Sequence, residues 1–283
     1  MNISVIKNII HPSPHNLAFG IDIFFNKNFS KKPVIIFVHG YKSFKDWGTF
    51  NLIGKYFARN NFVFVKFNFS HNGTSIDKPD KITESENFGK NNLEIEVSEI
   101  QEVVNFIENF NQIDEREIDR KNIFLIGHSR GAAVGLIAAN ESSKIKKVVC
   151  WSMFNDFENT WRSFYNFDQW QEDGVNYRPN KLTGKPLPLY FSLYENYVAN
   201  KHRFELKNII QAFKKPIMLV HGIEDEYIPY EEAIEMKRWN YRIMLNLIPY
   251  ANHNFGGNHP YLLKTLPEDT LFACKESILF FNQ

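Results

Sequence analysis

Ser129 sits in Gly127-His128-Ser129-Arg130-Gly131, between the apolar run at 123–126 and an Ala- and Gly-rich stretch at 131–140. A serine hydroxyl is a poor nucleophile at neutral pH and needs an adjacent base. A glycine-flanked serine between a strand and a helix predicts a tight turn that holds the hydroxyl at its tip in a strained conformation. The following helix aims its first N–H groups at the same point, which favours a developing negative charge. The glycines are required because a Cβ at either place would collide with the neighbouring strand or helix. The chemistry this arrangement suits is attack on a carbonyl carbon.

The base for such a serine is normally a histidine oriented by a carboxylate. With the nucleophile on a turn of this kind, the carboxylate and then the histidine follow it in the chain. Residues 216–229, PIMLVHGIEDEYIP, read as a buried strand running into a Gly turn that presents Glu224, Asp225 and Glu226. Residues 248–255, IPYANHNF, read as a loop after the last strand and carry His253. His259 is a rival, but Pro260 beside it points to a helix start. His128 and His221 are expected to pack or hydrogen-bond locally. His11 and His15 are four apart, but Pro12 and Pro14 exclude the helix such a metal-binding pair needs, and no other histidine spacing indicates a metal. For a developing oxyanion, the expected donors are the backbone N–H groups of Arg130 and of Tyr41, the latter in the loop His39-Gly40-Tyr41 after an early strand.

The elements that must position these groups follow from hydrophobic patterning. Residues 34–38 form an unbroken run of β-branched and aromatic residues, as expected of a strand covered on both faces. Further strands are predicted at 17–25 (with 3–10 as a partner), 62–67, 122–126, 147–151, 217–220 and 242–248. Helices are predicted at 48–60, 131–140, 230–239 and after Pro267. At 91–110, Leu93, Val97, Ile100, Val104 and Ile107 give one apolar helical face, and Glu94, Glu96 and Glu99 near its start suit the helix dipole. Short strands alternating with helices predict an α/β fold: a mostly parallel sheet with helices on both faces. Residues 152–215 break this rhythm and are dense in aromatics. They read as a cap inserted into a single domain spanning 1–283.

Composition narrows the partners. The 283 residues carry a net charge of +1, with 43% hydrophobic and 23% charged residues. No whole-molecule field draws in nucleic acid or anionic lipid, and the Lys-rich spot at 144–147 reads as a solvated connection. No apolar run approaches the ~20 residues of a membrane span. The first residues lack the apolar core and cleavage site of a secretion signal, and Cys150 and Cys274 do not form a disulfide framework. A cytoplasmic protein acting on a small molecule, without cofactor or metal, is the expectation. Its oligomeric state is open.

The segments HGY at 39–41, GHSRG at 127–131, HGIEDEYIP at 221–229 and NH at 252–253 together resemble the α/β-hydrolase superfamily over nearly the whole chain, from about residue 17. The resemblance implies an eight-stranded-type sheet and a Ser129–His253–Asp225 triad, because HGIEDEYIP is similar to the family's H-G-x-x-D-x-x-V-P pattern. More narrowly the chain resembles bacterial dienelactone-hydrolase-like and serine-aminopeptidase-like esterases, although Ser129 stands where dienelactone hydrolases proper carry cysteine. The implied reaction is ester hydrolysis through an acyl-enzyme, with a terminal-residue peptidase as the alternative and a non-catalytic binding protein as a third class. Trp161, Phe164 and Trp170 in the aromatic insertion are candidates for an apolar substrate pocket, the alternative being that these rings pack the cap onto the body; Arg162 and Arg178 are read first as surface salt-bridge partners and second as contacts to a substrate carboxylate.

Overall fold

A computed structural model describes residues 3–180 and 184–283. Strands β1 (Ile3–Pro12), β2 (Ala18–Asn26), β3 (Lys32–Val38), β4 (Val63–Phe67), β5 (Ile118–His128) and β6 (Ile145–Trp151) precede a short hairpin of β7 (Val175–Arg178) and β8 (Leu187–Tyr190). β9 (Ile217–Gly222) and β10 (Met244–Ile248) follow it. Eight of them form one sheet in the order β1-β2-β4-β3-β5-β6-β9-β10. Only the β1–β2 and β2–β4 pairs are antiparallel; the pairs from β4 to β10 are parallel. The C-terminal ends of β3, β5 and β9 therefore open on one edge, where catalytic groups of open α/β sheets collect.

The period-two alternation of strand side chains divides the core in two. Val34, Ile36 and Val38 of β3 and Ile123 and Leu125 of β5 join one apolar cluster. Ile35, Phe37, Phe124 and Ile126 point the other way into a second. After α1 (Phe50–Arg59) and α2 (Ser85–Gly89) in the chain, the helices α3 (Leu93–Asn109), α4 (Arg130–Glu141) and α10 (Tyr230–Trp239) cover the first. The second is covered by α1 and by the C-terminal helix, Glu268–Asn282. Asn92 caps α3 by accepting from Ile95 N at 3.0 Å. The acidic residues of α3 do more than meet the dipole: Glu96 and Glu99 are buried, and Glu99 accepts from Ser13 Oγ at 2.5 Å and from Ser70 N at 2.9 Å. Those partners lie in distant loops, so local patterning does not reveal them.

The aromatic insertion holds α5 (Phe157–Phe164), α6 (Phe167–Asp173), the β7–β8 hairpin, α7 (Ser192–Ala199), α8 (Lys201–Phe204) and α9 (Leu206–Ala212); α11 is the C-terminal helix, Glu268–Asn282. Phe157, Trp161, Trp170 and Tyr197 share the first apolar cluster with α3 and α4. Residues 249–267 contain no helix, so Pro260 does not start one; α11 begins only at Glu268.

Candidate active site

Ser129 is the single residue between the end of β5 and the start of α4. Its φ of 55° and ψ of −124° fall in a region almost reserved for glycine, and such strain persists only where the surroundings enforce it. Here Ser129 N donates to Trp151 O at 2.8 Å, and Ala132 N donates to Ser129 O at 2.9 Å. A Cβ on Gly131 would stand 2.3 Å from His39 O, and one on Gly127 2.4 Å from Ala132 Cα, so both flanking positions exclude a side chain. Ser129 itself is half-buried and thus reachable.

The turn after β9 brings Asp225 under the loop after β10. The Asp225 side chain is wholly buried and its Oδ2 accepts from His253 Nδ1 at 2.8 Å. Its Oδ1 accepts from Tyr227 N and Ile228 N, each at 2.9 Å, and His221 Nε2 lies 3.2 Å from Oδ2. Burial pushes the Asp225 pKa up, but hydrogen bonds from His221, His253 and Ile228 outweigh it and hold the carboxyl well below the usual carboxylate range. Of the three carboxylates in the turn, Asp225 is the one bonded to the His253 ring. Glu226 Oε2 accepts from His253 N at 3.1 Å, and Glu224 is exposed.

With Nδ1 donating to Asp225, the His253 ring keeps Nε2 as its acceptor. Its main chain is held from beneath: His128 Nε2 donates to His253 O at 2.9 Å, and Ser152 Oγ donates to the same oxygen at 2.9 Å. The His128 and His253 rings are 5.1 Å apart. Because His128 is covalently next to Ser129, this contact ties the serine turn to the His253 loop. Burial lowers the His128 pKa to about 3, so the ring is neutral and Nε2 carries its proton. Nothing in the pattern around His128 or Ser152 announces this role; both act on a residue more than a hundred positions away. His259 is occupied elsewhere, accepting from Gly48 N at 2.9 Å and stacking on Trp47.

The loop after β3 supplies the next feature. His39 Nδ1 donates to Gly40 O at 3.0 Å, and Ser43 N donates to that oxygen at 3.2 Å. Asn72 Nδ2 donates to His39 Nε2 at 3.3 Å, which fixes the tautomer. Burial lowers the His39 pKa to about 4. In a trans peptide, pinning the carbonyl of Gly40 sets the opposite direction of the Tyr41 N–H. That N–H donates to no acceptor among the described residues. Arg130 is the first residue of α4, where N–H groups lack intrahelical partners.

Among the pocket candidates, Trp161 and Trp170 are 5% and 0% exposed and pack inside the insertion, with Trp170 Nε1 donating to Leu189 O at 2.7 Å. Their interior position follows from the rings around them, Phe167, Tyr194 and Tyr197. Phe164 is half-buried, and its ring is 6.4 Å from that of Tyr227, which in turn lies edge-on to His253 at 5.2 Å. Arg162 is paired with Glu158 at 2.8 Å. Among the described residues no group of three or more His, Cys, Asp or Glu side chains is placed to hold a metal ion, and no helix is long and apolar enough to cross a membrane.

A sequence model described as the prolyl oligopeptidase family matches residues 85–265. No curated protein matches by sequence. Similar solved structures include Est1E from Butyrivibrio proteoclasticus with ferulic acid bound, at 20% identity and TM-score 0.72 over 96% of this chain and 98% of that one. The esterase domain of a Rhodothermus marinus protein is 15% identical, with TM-score 0.65 over 99% and 98% of the two chains. The Pyrococcus horikoshii acylaminoacyl peptidase is 17% identical with TM-score 0.69; all of this chain aligns, but only 42% of that one. At these identities the likeness is one of fold.

Proposed function

The chain belongs to the prolyl oligopeptidase family and has the α/β-hydrolase fold, and on that footing we propose that it hydrolyses carboxylic ester bonds through an acyl-enzyme formed on Ser129. The observation that carries this reading is the Asp225–His253 hydrogen bond, at 2.8 Å, on the sheet edge where Ser129 is held in its strained turn.

In this mechanism His253 Nε2 takes the Ser129 proton as Oγ attacks the carbonyl carbon. Asp225 keeps the proton on Nδ1 and stabilises the imidazolium. The N–H groups of Tyr41 and Arg130 hold the oxyanion, each donor being worth about 3 kcal/mol in the transition state. His253 then protonates the leaving group, and water, activated by the same imidazole, releases the acid. The Tyr227 ring beside His253, with Phe164 next to it, forms an apolar wall for the departing group, a role we assign to Phe164 rather than to Trp161 or Trp170. The insertion at 152–215 acts as a cap on a single domain, since its aromatics share a core cluster with the body.

Labelling by a fluorophosphonate probe, followed by a panel of p-nitrophenyl esters, tests this. The expected result is stoichiometric labelling abolished by Ser129→Ala; an unlabelled wild-type protein would end the proposal. A second reading, cleavage of amide bonds near a peptide terminus, is favoured by the family match. Turnover of aminoacyl naphthylamides faster than of p-nitrophenyl esters would establish it in place of the first.

A further inference from the structure

Among the described residues one buried donor beside Ser129, Arg130 Nη2, has no hydrogen-bond partner, and the Tyr41 hydroxyl has no neighbour but that of Tyr165. Arg130 is 6% exposed, and its Nε donates to Glu96 Oε2 at 2.8 Å, leaving Nη2 unspent. Its guanidinium carbon lies 5.9 Å from the centre of the Tyr41 ring. Across from it, at the end of β7, Arg178 stands 4.7 Å over the ring of Tyr165 and donates from Nη1 to Phe164 O at 3.3 Å. No carboxylate among the described residues pairs with Arg178. The two phenols lie close enough to perturb each other's titration, and both guanidiniums act on both of them. The group adjoins the nucleophile: Arg130 follows Ser129, and a Cβ built on Gly40, next to Tyr41, would stand 3.2 Å from Ser129 Cβ.

A buried donor left unmade costs free energy, and native structures rarely tolerate one. Two guanidiniums against the single carboxylate of Glu96 also leave this cluster with an uncompensated positive charge. Both deficits are met by one kind of group, a carboxylate, which accepts several hydrogen bonds in the plane a guanidinium offers. Its side of the substrate follows from the proposed mechanism, on which this inference rests. His253 protonates the leaving group, so that group lies toward His253 and Tyr227, and the acyl chain extends the other way, along the side chains of the two residues that hold the oxyanion. We propose that Arg130, Arg178, Tyr41 and Tyr165 form a subsite for a free carboxylate on the acyl portion, so that the preferred substrates are monoesters of dicarboxylic acids.

The test compares 4-nitrophenyl hydrogen adipate with its methyl ester, two substrates that differ by one charge. The expected result is a kcat/KM at least tenfold higher for the charged ester, with the ratio falling about tenfold in Arg178→Gln and less in Arg178→Lys, which keeps the charge but not the planar fork. If Arg178→Gln does not fold, Tyr165→Phe removes one donor instead and should lower the same ratio. A wild-type ratio near one in protein that labels with fluorophosphonate would overturn the subsite while leaving the hydrolase reading intact. Absent labelling would overturn the hydrolase reading. Adipate binding to Ser129→Ala, measured by calorimetry, then decides the subsite without turnover: no heat of binding means no subsite.

Discussion

Replacing Asp225 by Asn separates the chemistry of the acid from its structural work. The backbone bonds from Tyr227 N and Ile228 N to Oδ1 can survive in an amide. His221 Nε2 retains the Ile228 carbonyl at 3.0 Å as an acceptor, so the turn should hold. What changes is the contact to His253 Nδ1 at 2.8 Å. An amide NH2 placed there must repel an Nδ1–H, and the imidazole moves its proton to Nε2, where it can no longer accept from Ser129. A charge-assisted hydrogen bond contributes about 1.5–3 kcal/mol. It is lost once in setting the reactive tautomer and again in stabilising the imidazolium, a combined ~3–6 kcal/mol, or about 10² to 10⁴ in kcat. The same exchange in a serine protease triad costs about 10⁴. The assay is p-nitrophenyl ester hydrolysis alongside a thermal melt. An Asn variant that melts like wild type and keeps kcat within tenfold would refute the assignment of Asp225.

Four further outcomes follow from named contacts. Ser129→Ala should lower kcat by roughly a million-fold, read as ester turnover above the buffer rate. Gly131→Ala drives a Cβ to 2.3 Å from His39 O and 2.4 Å from Val38 O, both backbone, and should lower the melting temperature by about 5 °C or more. His128→Phe removes one of the two donors to His253 O; kcat should fall by about tenfold or more while KM moves less, and an unchanged kcat would show that Ser152 suffices. Glu99, whose pKa burial raises to about 7 from 4.5, keeps a proton in the folded state that the unfolded chain releases, so its contribution to stability declines as pH rises between those values, by up to ~3 kcal/mol; in Glu99→Gln the melting temperature should fall less than in wild type from pH 5 to pH 8.

What the sequence made legible was whatever a short window carries. The unbroken run at 34–38 reads as a strand covered on both faces, and β3 contributes to both apolar clusters. The glycines around Ser129 are legible because backbone lies against both. The choice among Glu224, Asp225 and Glu226 was not available from spacing; it came from the resemblance, and in the fold only Asp225 meets the His253 ring. The insertion stayed opaque because its order is nonlocal. β7 and β8 pair although Arg178 and Leu187 stand nine positions apart in the chain, and Trp161 and Trp170 are interior because of rings from α6 and α7. The burial of Glu96 was equally hidden, since its partner Arg130 is 34 positions away.

Three further histidines show how the edge is kept rigid without disturbing its electrostatics. Each sits near the end of a strand and donates a ring N–H to a carbonyl of the loop that carries one working part: His39 to Gly40 O beside the Tyr41 N–H, His221 to Ile228 O behind Asp225, and His128 to His253 O. A lysine or arginine could hold those carbonyls as firmly, but it would place a full positive charge near His253. In a low-dielectric site such a charge opposes formation of the imidazolium, the species the reaction must stabilise. Burial lowers the pKa of His39 to about 4 and that of His128 to about 3, so both rings donate while uncharged. Among the described residues the ion that meets the His253 ring is then Asp225, whose sign favours the transition state. Acidification toward pH 3 would charge His128 within 5.1 Å of the His253 ring, so the support that fixes the base at neutral pH becomes its electrostatic opponent in acid.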